Sequence, residues 1–153
     1  MFLLDKTKIS KVFPSYFKNF DLPKEAKEQS IEVYRACSTR KIDRESFLNS
    51  YEQNGFNIEQ GGDPNDPSQY SLSTYFRLKD IKRFVIINSR FQPPWTLAKG
   101  FTDPNCGVSC KTSEYKPRKD SHVDWWLYED STPWMSFMEV DYEEERNRIS
   151  SGK

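Results

Sequence analysis

His122 is the only histidine in the chain, and it lies in a segment, residues 121–140, that also holds three of the four tryptophans. Imidazole transfers protons near neutral pH, so a serine or cysteine nucleophile assisted by histidine would need His122 as its base. Asp124 lies two positions further along, on the same face of a strand and roughly 6.5–7 Å away at the backbone. That spacing does not by itself orient the ring. We therefore expect His122 and Asp124 to have a largely structural role, holding the loop 114–120 against a sheet, with catalysis by His122 as the alternative.

Alternation with period two across residues 121–140 predicts a β-hairpin. Its strands would be residues 122–129 and 134–140, separated by the turn formers at 130–133. Successive side chains of a strand point to opposite faces, so one face would pack in the core and the other would point outward. The core face would hold Val123, Trp125 and Leu127, and the outward face would hold Asp124, Trp126 and Tyr128.

The outward face predicts a binding surface, because Trp, Tyr and Arg dominate the energetics of interfaces. We expect Trp126 and Tyr128 to form, with Trp95 and Arg35, an aromatic patch that binds a protein partner or a small ligand. Burial of these indoles in the core is the alternative. The candidate binding residues are Arg35, Tyr75, Trp95, His122, Asp124, Trp126 and Tyr128.

Cys106, Cys110, His122 and Asp124 are ligand types that suit zinc. Their spacing is unfavourable, because C-x3-C lacks the tighter C-x2-C arrangement and no second cysteine pair follows. The sequence also has no phosphate-binding glycine motif, and the glycine pair at 61–62 precedes acidic residues. We therefore predict neither a metal nor a cofactor.

Arg35 lies in a strand-like segment with apolar neighbours, where a charged group is costly to bury unless it is paired. An arginine, then a serine–threonine strand containing Ser73, then Glu139 near the end of the chain resembles the pattern of ADP-ribosyltransferases. The resemblance implies that Arg35 binds NAD, that the pair at 73–74 supports the nicotinamide pocket and that Glu139 positions the acceptor, although the E-x-E or Q-x-E pair is missing. The simpler alternative is that Arg35 pairs with Asp124 or Glu139. The candidate catalytic residues are Arg35, Ser73, Glu139 and His122.

Four stretches together resemble an uncharacterised bacterial family associated with mobile genetic elements in Firmicutes. They are IDRESF at 42–47, YSLS at 70–73, AKG at 98–100 and SHVDWWLYED at 121–130. The resemblance brings no known activity, ligand or catalytic residue. It implies a bacterial cytoplasm and a role near phage defence, counter-defence or element maintenance.

Composition narrows the class of protein. A chain of 153 residues is long enough for one domain with its own core, and aromatic residues, at 15 %, can supply that core. Lys plus Arg equals Asp plus Glu, at 23 each, so no overall basic field favours nucleic acid. No apolar run approaches the ~20 residues of a membrane span, and three cysteines without a secretory signal indicate a reducing interior. We predict a cytoplasmic protein with no nucleic-acid or membrane partner.

The order of the elements predicts a single α+β domain over residues 1–153, with a basic aromatic lead-in at 1–20 and an acidic tail at 141–153. Its sheet would be antiparallel or mixed, with the C-terminal hairpin, and its helices would come mainly from the N-terminal half. Helices are predicted at 14–19, 24–29, 43–54 and 141–149, and strands at 31–37, 70–76, 95–101 and 108–112. Residues 78–88 fit both types, and we favour a helix to Phe84 with a strand close behind.

Overall fold

The computed structural model describes residues 11–86 and 95–152. Part of the basic lead-in and part of the strand expected behind Phe84 lie outside the described residues. The described chain forms a six-stranded antiparallel sheet with short helices, which confirms the predicted α+β class.

The sheet has the strand order β4-β5-β2-β1-β3-β6, so most neighbouring strands are distant in sequence. The strands are β1 (Glu32–Cys37), β2 (Leu72–Tyr75), β3 (Thr96–Phe101), β4 (Gly107–Lys111), β5 (His122–Leu127) and β6 (Met138–Glu139). The α-helices of the described residues are α1 (Ser50–Gln53), α2 (Lys82–Val85) and α3 (Tyr142–Ser150). Turns of 3-10 helix occur at Ser15–Asn19, Arg44–Phe47, Pro67–Tyr70, Leu78–Asp80, Thr112–Glu114 and Pro133–Ser136.

The predicted C-terminal hairpin does not form. β5 pairs with β2 and β4, whereas β6 pairs with β3 at the far edge of the sheet. The turn formers do end β5, but the chain continues into the 3-10 turn Pro133–Ser136. Phe137 then packs against Trp125, with 6.1 Å between ring centroids. The aromatic residues after the turn therefore pack on one face of the sheet instead of forming a strand that pairs with β5.

Both faces of β5 are buried. The predicted core face is confirmed, because Val123 and Trp125 are fully buried and Leu127 is partly buried in one cluster. The prediction of an outward face is wrong, because Trp126 has an exposed fraction of 0 % and Tyr128 of 7 %. Aromatic residues of the lead-in cover this second face: Phe13, Phe17 and Phe20. The alternation of side chains within one strand cannot show that a distant segment buries its second face.

The helix predicted at 43–54 is two separate turns. Asp43 accepts a hydrogen bond from the Ser46 amide, and Asn49 accepts one from the Glu52 amide within a capping box. Two N-caps six positions apart therefore start two short elements, with Leu48 extended between them. Arg35 binds the carbonyl oxygens of Ser46 and Leu48, which a continuous helix would have used internally.

The helix predicted at 24–29 is also wrong. The Ala26 amide donates to the Pro23 carbonyl in a single turn, after which Lys27 exchanges two backbone hydrogen bonds with Ser109 of β4. Pairing with the edge strand outweighs the helix propensity of this segment. Near residue 80, where the sequence favours a helix to Phe84, the chain forms the 3-10 turn Leu78–Asp80 followed by the short helix α2.

The acidic tail forms α3, close to the predicted 141–149, with Asp141 capping the Glu144 amide. Glu145 is buried and accepts hydrogen bonds from the Tyr34 hydroxyl at 2.8 Å and from Lys99 Nζ at 3.2 Å. α3 is the longest helix of the described residues, so the expectation that helices come mainly from the N-terminal half is wrong.

The sheet is split between β1 and β2. These strands share a single register pair, Tyr34 with Tyr75, whereas β2 and β5 share four pairs and β1 and β3 share six. β2 is therefore fully paired on one side and largely open on the other.

Candidate functional site

The split between β1 and β2 holds a cleft with a volume of about 190 Å³. Ala36 and Ser38 line it on the β1 side, and Ser71 and Ser73 line it on the β2 side. Continuing the register from Tyr34 and Tyr75 would place these residues opposite each other, so the cleft occupies the space of the missing pairs. Further walls come from residues 48–50, Gln53, Tyr75, Ile81, Phe84 and Trp95.

Arg35 reaches across this split with its guanidinium. Nη1 donates to the Ser73 carbonyl oxygen at 2.8 Å, and Nε and Nη2 donate to the Ser46 carbonyl oxygen at 3.1 and 2.9 Å. Nη2 also lies 3.5 Å from the Leu48 carbonyl oxygen. All of these acceptors are main-chain carbonyls. No carboxylate of the described residues forms an ion pair with Arg35, so the predicted pairing with Asp124 or Glu139 is wrong.

Burial lowers the pKa of the Arg35 guanidinium to about 10. The group remains a cation at neutral pH. Carbonyl oxygens offset part of its desolvation as dipoles, but they carry no negative charge. The cleft therefore has a partly buried, uncompensated positive charge in its wall.

Ser73 and His122 form a hydrogen-bonded pair at the other wall. His122 Nε2 lies 2.9 Å from Ser73 Oγ, and the residue has an exposed fraction of only 4 %. The strand register explains the contact, because Ser73 is opposite Asp124 and Tyr75 is opposite His122 in the β2–β5 pair. The imidazole reaches diagonally to the next residue of the same face. Ser73 lines the cleft, so the pair lies at its edge.

Asp124 is completely buried beside His122 and is surrounded by hydroxyl groups. Ser71 Oγ donates to Oδ1 at 2.5 Å, and Thr112 Oγ1 and the Tyr115 hydroxyl both donate to Oδ2 at 2.7 Å. Thr112 Oγ1 is also 2.5 Å from His122 Nδ1, so Thr112 bridges the imidazole and the carboxylate. The direct separation of His122 Nδ1 and Asp124 Oδ1 is 3.8 Å.

The loop 114–120 reaches this network through the Tyr115 hydroxyl, as a structural role for Asp124 requires. His122 itself bonds Ser73 and Thr112 with its ring instead of the loop, while its amide donates to Asp120. Sequence reasoning missed Thr112 and Tyr115, because hydroxyl residues separated by a turn from the strand they contact leave no spacing pattern.

The predicted aromatic patch exists only in part. Tyr75 and Trp95 both line the cleft with Arg35, and the Trp95 ring stacks on Phe84 at 5.6 Å between centroids. Trp126 and Tyr128, in contrast, are buried on the far side of β5, as described above. Their polar groups bond within the protein: Trp126 Nε1 donates to the Pro67 carbonyl and the Tyr128 hydroxyl donates to Glu28.

Glu139 does not line the cleft with Arg35 and Ser73. It is exposed on β6 and pairs with Ala98 of β3, which in turn pairs with Arg35 of β1. One strand therefore separates the glutamate from the arginine.

The three cysteines are buried and form no disulfide. Burial raises the pKa of the Cys37 and Cys106 thiols to about 11 and that of Cys110 to about 12, which disfavours the thiolate that nucleophiles and metal ligands need. Within residues 11–86 and 95–152, no cluster of His, Cys, Asp and Glu is arranged to hold a metal ion.

A larger surface cleft of about 500 Å³ lies between the lead-in and the 3-10 turn after β5. It is lined by Tyr16, Arg44, Glu52, Phe56 and Trp134, among others. Arg44 is exposed to solvent there. The smaller cleft is the better candidate site, because it alone of the two combines a partly buried cation with a hydrogen-bonded serine and histidine.

No family model, curated protein or solved structure matches the chain. The resemblances to the mobile-element family and to ADP-ribosyltransferases therefore stay predictions. In the part of the chain that the structure describes, no helix has the length and apolar character needed to cross a membrane.

Proposed function

We propose that this chain is a binding module that holds a small anionic ligand in the cleft between β1 and β2. The observation that carries the proposal is the Arg35 guanidinium, a partly buried cation whose hydrogen-bond partners are all main-chain carbonyls. A carboxylate or phosphate group beside it would supply the missing negative charge and accept a hydrogen bond from the remaining N–H of Nη1.

The polar lining suits such a ligand. The Ser38 and Ser50 hydroxyls lie in the cleft wall and have no hydrogen-bond partner among the described residues. Hydroxyl groups donate readily to anion oxygens. With Arg35, they make one side of the cleft a set of hydrogen-bond donors.

The apolar lining would orient the remainder of the ligand. Trp95 and Phe84 stack with an interplanar angle of 15°, and Tyr75 forms the adjoining wall. Arg83 lies 4.8 Å from the Phe84 ring centroid and donates to the Tyr75 hydroxyl, which adds a second cation behind this wall. A small organic anion with a flat or apolar portion matches both sides.

The volume limits the ligand further. About 190 Å³ is below the ~300–1,000 Å³ of pockets for drug-sized ligands. A concave cleft of this size favours a small molecule over a protein partner. It also disfavours a complete dinucleotide, which is larger than a drug-sized ligand.

The ADP-ribosyltransferase alternative retains one supporting contact, the hydrogen bond between Arg35 Nη1 and the Ser73 carbonyl. Glu139 lies beyond β3, so an NAD site would need a different acidic residue. NAD is therefore included as one ligand of the test below. A bacterial cytoplasmic setting, with a role around mobile elements, remains part of this proposal.

The test is a thermal-shift series with acetate, benzoate, phosphate and NAD, followed by calorimetric titration of any active compound. A ligand at ten times its Kd should stabilise the fold by about 1.4 kcal/mol, or about 3–5 °C. Arg35→Gln should abolish the shift, and Arg77→Gln, which changes an exposed arginine outside the cleft, should keep it. Absence of any shift in the wild type, or an equal shift in both variants, would rule out the anion site.

A further inference from the structure

The bridge formed by Thr112 fixes the protonation of His122. An ionised Asp124 only accepts hydrogen bonds, so the single proton of the Thr112 hydroxyl points to Oδ2 at 2.7 Å. Thr112 Oγ1 can then only accept from His122 Nδ1, 2.5 Å away, which places the imidazole proton on Nδ1. Nε2 is left with its lone pair directed at Ser73 Oγ, 2.9 Å away.

This is the tautomer that a general base requires. The serine proton points to a nitrogen able to receive it, and the opposite ring nitrogen is held by a bridge to a buried carboxylate. The arrangement extends the usual serine–histidine–acid geometry by one hydroxyl. Direct contact between the imidazole and the acid is replaced by Thr112.

The surroundings favour the neutral base. Burial lowers the pKa of His122 below its ordinary value, although Asp124 opposes the shift. Arg118 and Lys116, from the loop before β5, act in the same direction as burial, whereas Asp120 acts in the opposite direction. At neutral pH the imidazole is thus free to accept a proton.

We propose that Ser73 is a nucleophile activated by His122, and that the cleft hydrolyses small esters that carry a negative charge. The preference for an anionic substrate rests on the proposed function, through Arg35, whereas the nucleophile does not. Ser73 lines the cleft while His122 and Asp124 lie behind it, so a bound ester could reach Oγ.

The chemistry would proceed in two balanced steps. Ser73 Oγ forms a bond to the acyl carbon as its proton passes to His122 Nε2; the bond to the leaving oxygen then breaks, and that oxygen takes the proton and departs as an alcohol. In the second step water adds to the acyl carbon and gives a proton to Nε2. The bond to Ser73 Oγ breaks, Oγ regains the proton, and a carboxylic acid leaves.

The competing explanation is that the Ser73–His122 hydrogen bond only ties β2 to β5. Treatment with a fluorophosphonate separates the two explanations, because it phosphonylates activated serines, forming an Oγ–P bond as fluoride leaves, and mass spectrometry identifies the labelled residue. We expect one label, on Ser73. Ser73→Ala should lose it, and Ser151→Ala, at the exposed end of the chain, should retain it.

Variants of His122 and Thr112 should lower the rate of Ser73 labelling to different extents. His122→Ala should lower the rate of labelling by about 10²–10⁴-fold, and Thr112→Val, a change at a positioning residue, by about tenfold with a shifted pH profile. The wild-type rate should rise with pH through a pKa below the ordinary value of His. Circular dichroism confirms that each variant is folded. If a folded His122→Ala variant labels Ser73 at the wild-type rate, or the folded wild type takes no label, the proposal is wrong.

Two aryl acetates of similar size separate this proposal from anion binding. 4-Acetoxybenzoate carries a carboxylate and 4-nitrophenyl acetate does not, so Arg35→Gln should reduce turnover of the first much more than of the second. Labelling and turnover without this preference would retain the nucleophile and reject the anion site. Anion-induced thermal shifts without labelling would do the reverse.

Discussion

Asp124 and Arg35 bring opposite charges into the sheet on either side of β2, yet their surroundings differ. Asp124 accepts hydrogen bonds from three hydroxyl groups and is closed off from solvent. Arg35 donates only to carbonyl oxygens and borders a cleft. The first charge lies where β2 is fully paired, and the second lies where the pairing stops.

We interpret the network around Asp124 as a structural scaffold and the cleft beside Arg35 as the proposed binding site. A buried charge with all its hydrogen bonds made within the protein rigidifies its surroundings and offers nothing to a ligand. A partly buried cation that has no counter-ion and faces a cleft can still interact favourably with an anionic ligand that enters the cleft. Ser73 belongs to both regions, because its side chain faces His122 and its carbonyl accepts from Arg35.

The largest effect is expected from Asp124→Asn. The amide NH2 would oppose at least one of the three donating hydroxyls, and the remaining bonds would lose their ionic character. We expect a loss of about 3–5 kcal/mol in the free energy of unfolding, measured with urea. Asp21→Asn, at an exposed position, should change it by less than about 0.5 kcal/mol. A loss below about 1 kcal/mol in Asp124→Asn would contradict the view that this network is the scaffold.

Arg35→Met is expected to cost less, about 2–3 kcal/mol, because the carbonyls it releases border the cleft and can bond water. The asymmetry should appear on adding a ligand: anions should stabilise the wild type and leave Arg35→Met unaffected. If this variant is destabilised more than Asp124→Asn, the assignment of scaffold and site is reversed.

Glu145 provides a third case, a buried charge with cationic partners. The Arg148, Tyr34 and Lys99 side chains hold the pKa of Glu145 down to about 2, well below its ordinary value. A depressed carboxyl pKa contributes stability above the unfolded-state pKa of ~4.3, and this stability is lost as pH falls toward 2. Glu145→Gln should therefore lose about 1–2 kcal/mol at pH 7 and show a smaller loss of stability between pH 4.5 and 2, measured by thermal unfolding. Identical pH curves for the two proteins would show that the α3 contact contributes nothing.

An effect as small as that at Glu145 is expected at His122. Its pKa is lowered in the folded state, so below the ordinary value of ~6.5 the unfolded chain binds the proton first, and stability falls as pH decreases through that region. His122→Ala should remove this slope and lower stability at pH 7 by about 1–2 kcal/mol, with anion affinity near wild type. Denaturant titrations at pH 7.5 and 5.5 measure both. Lost anion affinity in a stable His122→Ala variant would move the binding site to the imidazole.

Sequence patterns predicted strands and helices well where the residues of the element itself set its ends. The strand expected at 31–37 is Glu32–Cys37, and the acidic helix expected at 141–149 is Tyr142–Ser150. Aromatic and β-branched residues favour the first, and an aspartate cap with a run of glutamates favours the second. These preferences act within a few residues and are visible in the sequence.

Partners distant in sequence could not be predicted. The hairpin prediction failed because β5 pairs with β2, some fifty residues earlier, and turn formers at 130–133 say nothing about which strand is chosen. The prediction of an outward face on β5 failed because Phe17 and Phe20, from the lead-in, cover that face. Both errors concern tertiary packing, which overrides local alternation.

The sequence pointed to several residues that line the cleft, but it did not show which of the candidate residues lie together. Arg35, Ser73, Tyr75 and Trp95 meet at one cleft, while Glu139, Trp126 and Tyr128 lie elsewhere. His122 was identified as the only available base, but its partners followed from the β2–β5 register. A register cannot be read from one sequence, since pairing depends on the whole sheet.

The strand order also has a consequence for folding kinetics. Apart from β4 with β5, every well-paired neighbour in the sheet joins segments tens of residues apart, such as β1 with β3 and β2 with β5. Such topologies close long loops before their contacts stabilise them, and they fold on a timescale of ~ms to s. The β1 and β2 strands share the fewest register pairs of any neighbours in the sheet, so we expect their pairing to form last and to open first in native-state hydrogen exchange. The amides around the cleft would then exchange through local opening, while those of β5 would exchange only on global unfolding.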